Sequence, residues 1–70
     1  MNEMELRAEL VRKGFTIQSF SKAIGITPKT GYKKVKGTAP FTQPELAKAK
    51  LVLSLDDQRF LNIFFADMVS

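Results

Sequence analysis

Apolar residues recur along this chain at spacings of three and four, and each run lies between a capping residue and a glycine, proline or polar turn. Leu6 and Leu10 lie four apart behind Asn2, which with Glu5 three residues on fits a capping box, so a first helix is predicted over residues 3–13, ending at Gly14. Phe20 and Ile24 share one face of a second helix over 17–24, capped by Thr16 and closed by Gly25, with Ile26 turning back to the core. Phe15 precedes that cap and lies five residues before Phe20, the positions of a hydrophobic staple. Thr27 and Pro28 open a third helix over 28–36, where the missing proline N–H costs nothing, and Gly37 ends it. After the turn 37–40, Thr42 and Glu45 form the clearest capping box in the chain, Phe41 is set to staple onto Leu46, and Leu46, Ala49, Val52 and Leu53 give a fourth helix over 43–53 its inward face. Asp56 caps a fifth over 57–65, with Phe60, Leu61 and Phe64 facing in. No stretch alternates with period two. The pattern predicts an all-α fold, a compact bundle of about five short helices forming one domain over residues 1–70.

The tail is more apolar than such a bundle needs. Ile63, Phe65, Met68 and Val69 cannot all enter one small core together with Phe60, Leu61 and Phe64, and Leu51 sits off the inward stripe of the fourth helix. Two readings stand: these residues cover the base of the bundle, or Leu51, Ile63, Phe65, Met68 and Val69 form a protein contact, either a homodimer seam or a surface for another protein. The run is too short to span a bilayer, and the charged start MNEMELRAEL has no apolar stretch of the kind a signal peptide carries, so a cytoplasmic protein is expected.

Charge changes the picture most. The net charge is +4, but from Arg12 to Lys50 nine cations face the single acid Glu45, while residues 1–11 and 51–70 each carry a net −2. The predicted third helix exposes Lys29, Thr30, Tyr32, Lys33 and Lys36 and contains no carboxylate. A polyanion such as DNA is the natural partner of that block. The chain has neither histidine nor cysteine, so the commonest general base and the soft metal ligands are missing, and no carboxylate pair is spaced for catalysis. The expectation is a binding protein and not an enzyme, with no metal, no cofactor and no small-molecule substrate.

The stretch Thr16–Gly37, TIQSFSKAIGITPKTGYKKVKG, resembles the helix-turn-helix of the Cro/repressor (xenobiotic-response-element) superfamily: Phe20 and Ile24 match the apolar positions of its first helix, Gly25 the turn glycine, and Thr27 the cap of the recognition helix. The likeness continues through the Phe41–Leu46 capping segment, Leu53-Ser54-Leu55-Asp56 and Ile63-Phe64-Phe65, and is similar to the small Cro-like and repressor-modulating proteins of temperate phages of Gram-positive bacteria. The resemblance implies a lambda-repressor-like bundle that regulates transcription in the bacterial host cell, often as a dimer on a double-stranded operator. It implies DNA contacts at Pro28, Lys29, Thr30, Tyr32, Lys33 and Lys36, with Ile17 and Gln18 starting the second helix against the backbone. Lys29 and Lys33 would donate to guanine edges, Lys22, Thr30 and Lys36 would hold phosphates, and Tyr32 would meet a sugar-phosphate or a thymine methyl.

Four positions depart from the family pattern. Ile17 replaces a polar phosphate contact, Pro28 a base-reading residue, Ser21 a small alanine at the helix crossing, and Gly31 a larger residue that anchors the recognition helix. Glycine inside a helix costs about 0.5–1 kcal/mol, so this reading expects a loosely held recognition helix. The same departures motivate an alternative: an antirepressor that acts by binding a partner phage repressor, with weak DNA binding of its own.

Overall fold

The computed structural model describes residues 1–68 and is all-helical, with no strand among the described residues. Five α-helices follow one another, α1 (Glu3–Arg12), α2 (Ile17–Ala23), α3 (Pro28–Lys36), α4 (Gln43–Val52) and α5 (Asp57–Phe64), and a single 3-10 turn (Ala66–Met68) closes the described chain. None is long and apolar enough to cross a membrane. Four of the helices stop one residue before the end the sequence predicts, at the residue that serves as cap.

Each start is fixed by a local side chain. The Asn2, Thr16, Thr27, Thr42 and Asp56 side chains each accept from the backbone N–H three residues on, satisfying a donor that helix geometry leaves unpaired. At α1 only half of the expected box forms: the Asn2 N–H donates to Ile63 O at 2.7 Å and the Glu5 carboxylate accepts instead from Arg59 of α5 at 3.1 Å. At α2 a box forms that the sequence reading did not name, with Ser19 Oγ accepting from Thr16 N at 3.0 Å. The staple is present as an edge-to-face pair, Phe15 and Phe20 with ring centroids 6.3 Å apart.

The core is drawn from all five helices and is centred on Leu6, Phe20, Ile24, Val35, Leu53 and Ile63. Two expectations for α5 are corrected here. Leu61, expected to face in, is exposed, and Ile63, proposed as a contact for a partner, is fully buried. The rotation of α5 is set by distant partners: Asn2 N–H donates to Ile63 O at 2.7 Å, and Arg59 donates to Glu5 and to the buried Glu9. Phe65 is half-buried against the core, tilted against Phe60 at 5.8 Å, so it covers the base of the bundle and is no free contact. Leu51 is exposed as expected; the side chain of Met68, and Val69, lie outside the described residues.

Ser54 ends α4 in the left-handed region at φ 52°, the one non-glycine residue with positive φ among those described. That conformation lets Ser54 N–H donate to Leu51 O and Leu55 N–H to Lys50 O, closing the helix as glycine does elsewhere. Its exposed side chain makes no hydrogen bond among the described residues, and the strain of about 1–2 kcal/mol exceeds the extra unfolded-state entropy glycine would bring, about 0.5–1 kcal/mol. Ser54→Gly is therefore expected to raise stability by about 0.5–1 kcal/mol in urea unfolding; a lower midpoint would show that the serine contributes something its geometry does not reveal.

Candidate nucleic-acid interface

Helices α2 and α3 are joined through Ile24–Thr27, and the turn closes as the sequence requires. Gly25 takes φ 84°, its N–H donates to Lys22 O at 3.1 Å, and Ile26 N–H donates to Ser21 O at 2.9 Å. This hydrogen-bond pair is the glycine-terminated helix stop, and a side chain at position 25 would be strained.

The expectation of a loosely held α3 is overturned. Gly31 is buried, and a Cβ placed on it would lie 1.7 Å from Ser21 Oγ and 2.7 Å from Ser21 Cβ. Ser21 is itself fully buried, and its hydroxyl donates to Ile17 O at 2.6 Å. Ser21 and Gly31 account for each other: the side chain on α2 is accommodated by the missing side chain on α3, so the helices cross in close contact.

The buried face of α3 is Gly31, Lys34 and Val35, the spacing of a single helical stripe. The opposite face carries Lys29, Lys33 and Lys36, all exposed and related by steps of four and three. Tyr32 is half-exposed, and Lys36 Nζ lies 5.5 Å from the centre of its ring. Pro28 is exposed at the first position of α3, and Thr30 is half-buried with its hydroxyl accepting from Thr27 Oγ1 at 3.0 Å. Gln18 and Lys22 are exposed on α2, and Ile17 is half-buried against the core.

Ion pairing decides which charges remain available. Glu3, Glu5, Glu9, Glu45, Asp57 and Asp67 each pair with a cation, and Asp56 is engaged in capping α5. Those pairs engage Arg7, Arg12, Lys13, Lys34, Lys50 and Arg59. Lys22, Lys29, Lys33, Lys36 and Lys48 have no acidic partner among the described residues, and all five are exposed. The first four are on the helix-turn-helix. Lys48 was not among the site residues read from the sequence, yet its ammonium lies beside the α2–α3 turn, 3.4 Å from where a Cβ on Gly25 would be. Nothing local in the sequence marks it, because its position depends on how α4 packs over the turn.

Lys34 is removed from the basic face. Its ammonium donates to Glu45 Oε1, which also accepts from Thr42 N at 2.9 Å, and both side chains are largely buried. Lys34 first, and the Thr42 N–H second, hold the Glu45 carboxyl below the usual carboxylate range. Beside Tyr32, the Arg7 guanidinium is held above its usual range, first by Glu3 at 2.7 Å and with a smaller contribution from Tyr32.

No family model, curated protein or solved structure matches this chain.

Proposed function

We propose that this chain is a DNA-binding regulator of transcription, of the kind that operates a phage-type genetic switch in the bacterial cytoplasm, with α3 entering the major groove. The observation that carries the reading is the segregation of charge. The protein uses its acids internally, and the lysines without an acidic partner among the described residues are gathered on α2, α3 and the adjoining Lys48. In this reading Lys29 and Lys33 meet guanine edges, Gln18, Lys22, Lys36 and Lys48 meet phosphates, and Thr30 and Tyr32 border the groove.

The test is fluorescence titration of the protein against DNA from its own switch region. If three to five lysines neutralise phosphates, log affinity falls against log salt with a slope of about −3 to −4.5, so a fourfold rise in salt weakens binding about 60- to 500-fold. Absence of binding at micromolar protein in low salt would sink the reading.

A second reading is supported by what α3 lacks. Its exposed face offers lysines but no arginine, asparagine or glutamine, so it has charge without a bidentate fork for base edges. Such a rod also suits an acidic protein surface, as in an antirepressor that occupies a partner repressor, where complementary charge speeds encounter and fixes register. A stable complex with the repressor made from the neighbouring gene, formed without DNA, would favour this alternative.

A further inference from the structure

The outward face of α1 has no role in the fold or in the basic surface. Met4, Ala8 and Val11 occupy it at steps of four and three, and Met4 and Val11 are 81% and 78% exposed. This is the spacing of a coiled-coil seam, with the small Ala8 at its midpoint and larger apolar residues about 10 Å apart on either end. Beside Val11 the surface dips into a hollow of about 240 Å³ formed by Arg7, Leu10, Val11, Phe15, Thr16 and Ile17. The face therefore carries both an apolar projection, Met4, and an apolar recess one heptad away.

We propose that this face is a self-association surface on which two copies of the chain pair their α1 helices antiparallel, with Ala8 on the two-fold axis. Antiparallel pairing places Met4 of each copy at the Val11 recess of the other, which is the reciprocal contact a two-fold interface demands. Methionine, flexible and unbranched, suits an irregular recess. Charge selects the direction. In the antiparallel arrangement Glu5 and Arg12, which flank the seam on one side and are 43% and 57% exposed while paired with Arg59 and Glu9 of their own chain, each bring those pairs against the opposite charge of the partner. A parallel arrangement would instead set Arg7 against Arg12 of the second copy. In the antiparallel pair Arg7 approaches its own counterpart, but each is accompanied by Glu3 at 2.7 Å.

The surface is small. A helix of ten residues is about 15 Å long and buries less than the roughly 800 Å² per partner of a standard stable interface, so association is weak on its own and is strengthened where two copies are held close together. The inference is independent of the DNA reading and is tested without nucleic acid.

The chain contains no cysteine, which permits a clean cross-linking experiment. Ala8→Cys places a thiol on the proposed axis, where helices about 8 Å apart bring facing Cα atoms within disulfide reach. Ala47→Cys places one on the exposed side of α4 as the control. In a glutathione buffer Ala8→Cys is expected to form disulfide-linked dimer with an equilibrium constant at least about tenfold above the control, and adding Met4→Glu is expected to remove the difference. Equal dimer yields from the two thiols would overturn the proposal. As a second measurement on the unmodified chain, NMR amide shifts on concentration to about 1 mM should move at Met4, Ala8, Val11 and Phe15; shifts that cluster instead around Leu51 or Leu61, or none at all, would also overturn it.

Discussion

Replacing Gly31 by alanine, a change that elsewhere in a helix interior stabilises, is expected to destabilise this protein by about 2 kcal/mol net. The added Cβ would lie 1.7 Å from Ser21 Oγ and 2.7 Å from Ser21 Cβ. Rotating the serine hydroxyl aside removes the first overlap and breaks its hydrogen bond to Ile17 O, but the second overlap remains because Ser21 Cβ is fixed to the α2 backbone. The helices must therefore separate, loosening the contact that sets the pose of the basic face. A domain of this size has about 4–10 kcal/mol of stability in all, so the loss corresponds to a fall in melting temperature of about 8–16 °C. The exchanged pair Ser21→Gly with Gly31→Ala removes the serine Cβ and Oγ that the new methyl group would meet and is expected to recover most of the loss, giving a coupling energy of about 2 kcal/mol in a double-mutant cycle. Thermal unfolding of the two single variants and the double variant is the measurement. A Gly31→Ala protein melting with the wild type would mean that α2 and α3 do not cross this closely.

That pair also marks the boundary of what the sequence discloses. Caps and stops were legible because each is made within a few residues: Thr27 and Pro28 announce α3, and Gly25 and Gly37 end helices in the left-handed conformation that favours glycine. At Gly31 only the local cost is visible in the sequence, whereas the reason for the glycine is Ser21, on another helix. Lys34 is a similar case. Counted with its neighbours it adds to a basic run, but it lies three residues from Gly31 on the inward stripe, and Glu45, already expected as a capping residue, is also its ion partner. In α5 the local pattern turns Leu61 inward and leaves Ile63 free as a contact, whereas Asn2, Glu5 and Glu9 fix the actual rotation from 50 or more residues away in the chain. That Lys29, Lys33 and Lys36 share one exposed face of α3 is readable by periodicity; the availability of each lysine is not, since that depends on where all seven acids go.

Lys33 and Lys34 are adjacent in sequence and identical in chemistry, and they are expected to give opposite results. Lys33 is exposed and lacks an acidic partner among the described residues, so Lys33→Ala should leave stability within about 0.5 kcal/mol of wild type and, if α3 reads DNA, weaken binding to the cognate site by about 1–3 kcal/mol. Lys34 is largely buried on Glu45, so removing its ammonium leaves a poorly solvated carboxylate still held by Thr42 N–H. Lys34→Ala should cost about 1–3 kcal/mol of folding stability, less than for a fully enclosed pair because both side chains retain some access to water, while the folded fraction binds DNA with nearly unchanged affinity. Lys34→Met keeps the apolar stem and separates the loss of charge from the loss of packing. Urea unfolding and DNA titration of the same preparations give both readouts for each variant. If Lys34→Ala lost affinity at full stability, the buried pair would be wrong and α3 would present a different face; if Lys33→Ala lost stability at full affinity, the exposed stripe would not be the reading surface.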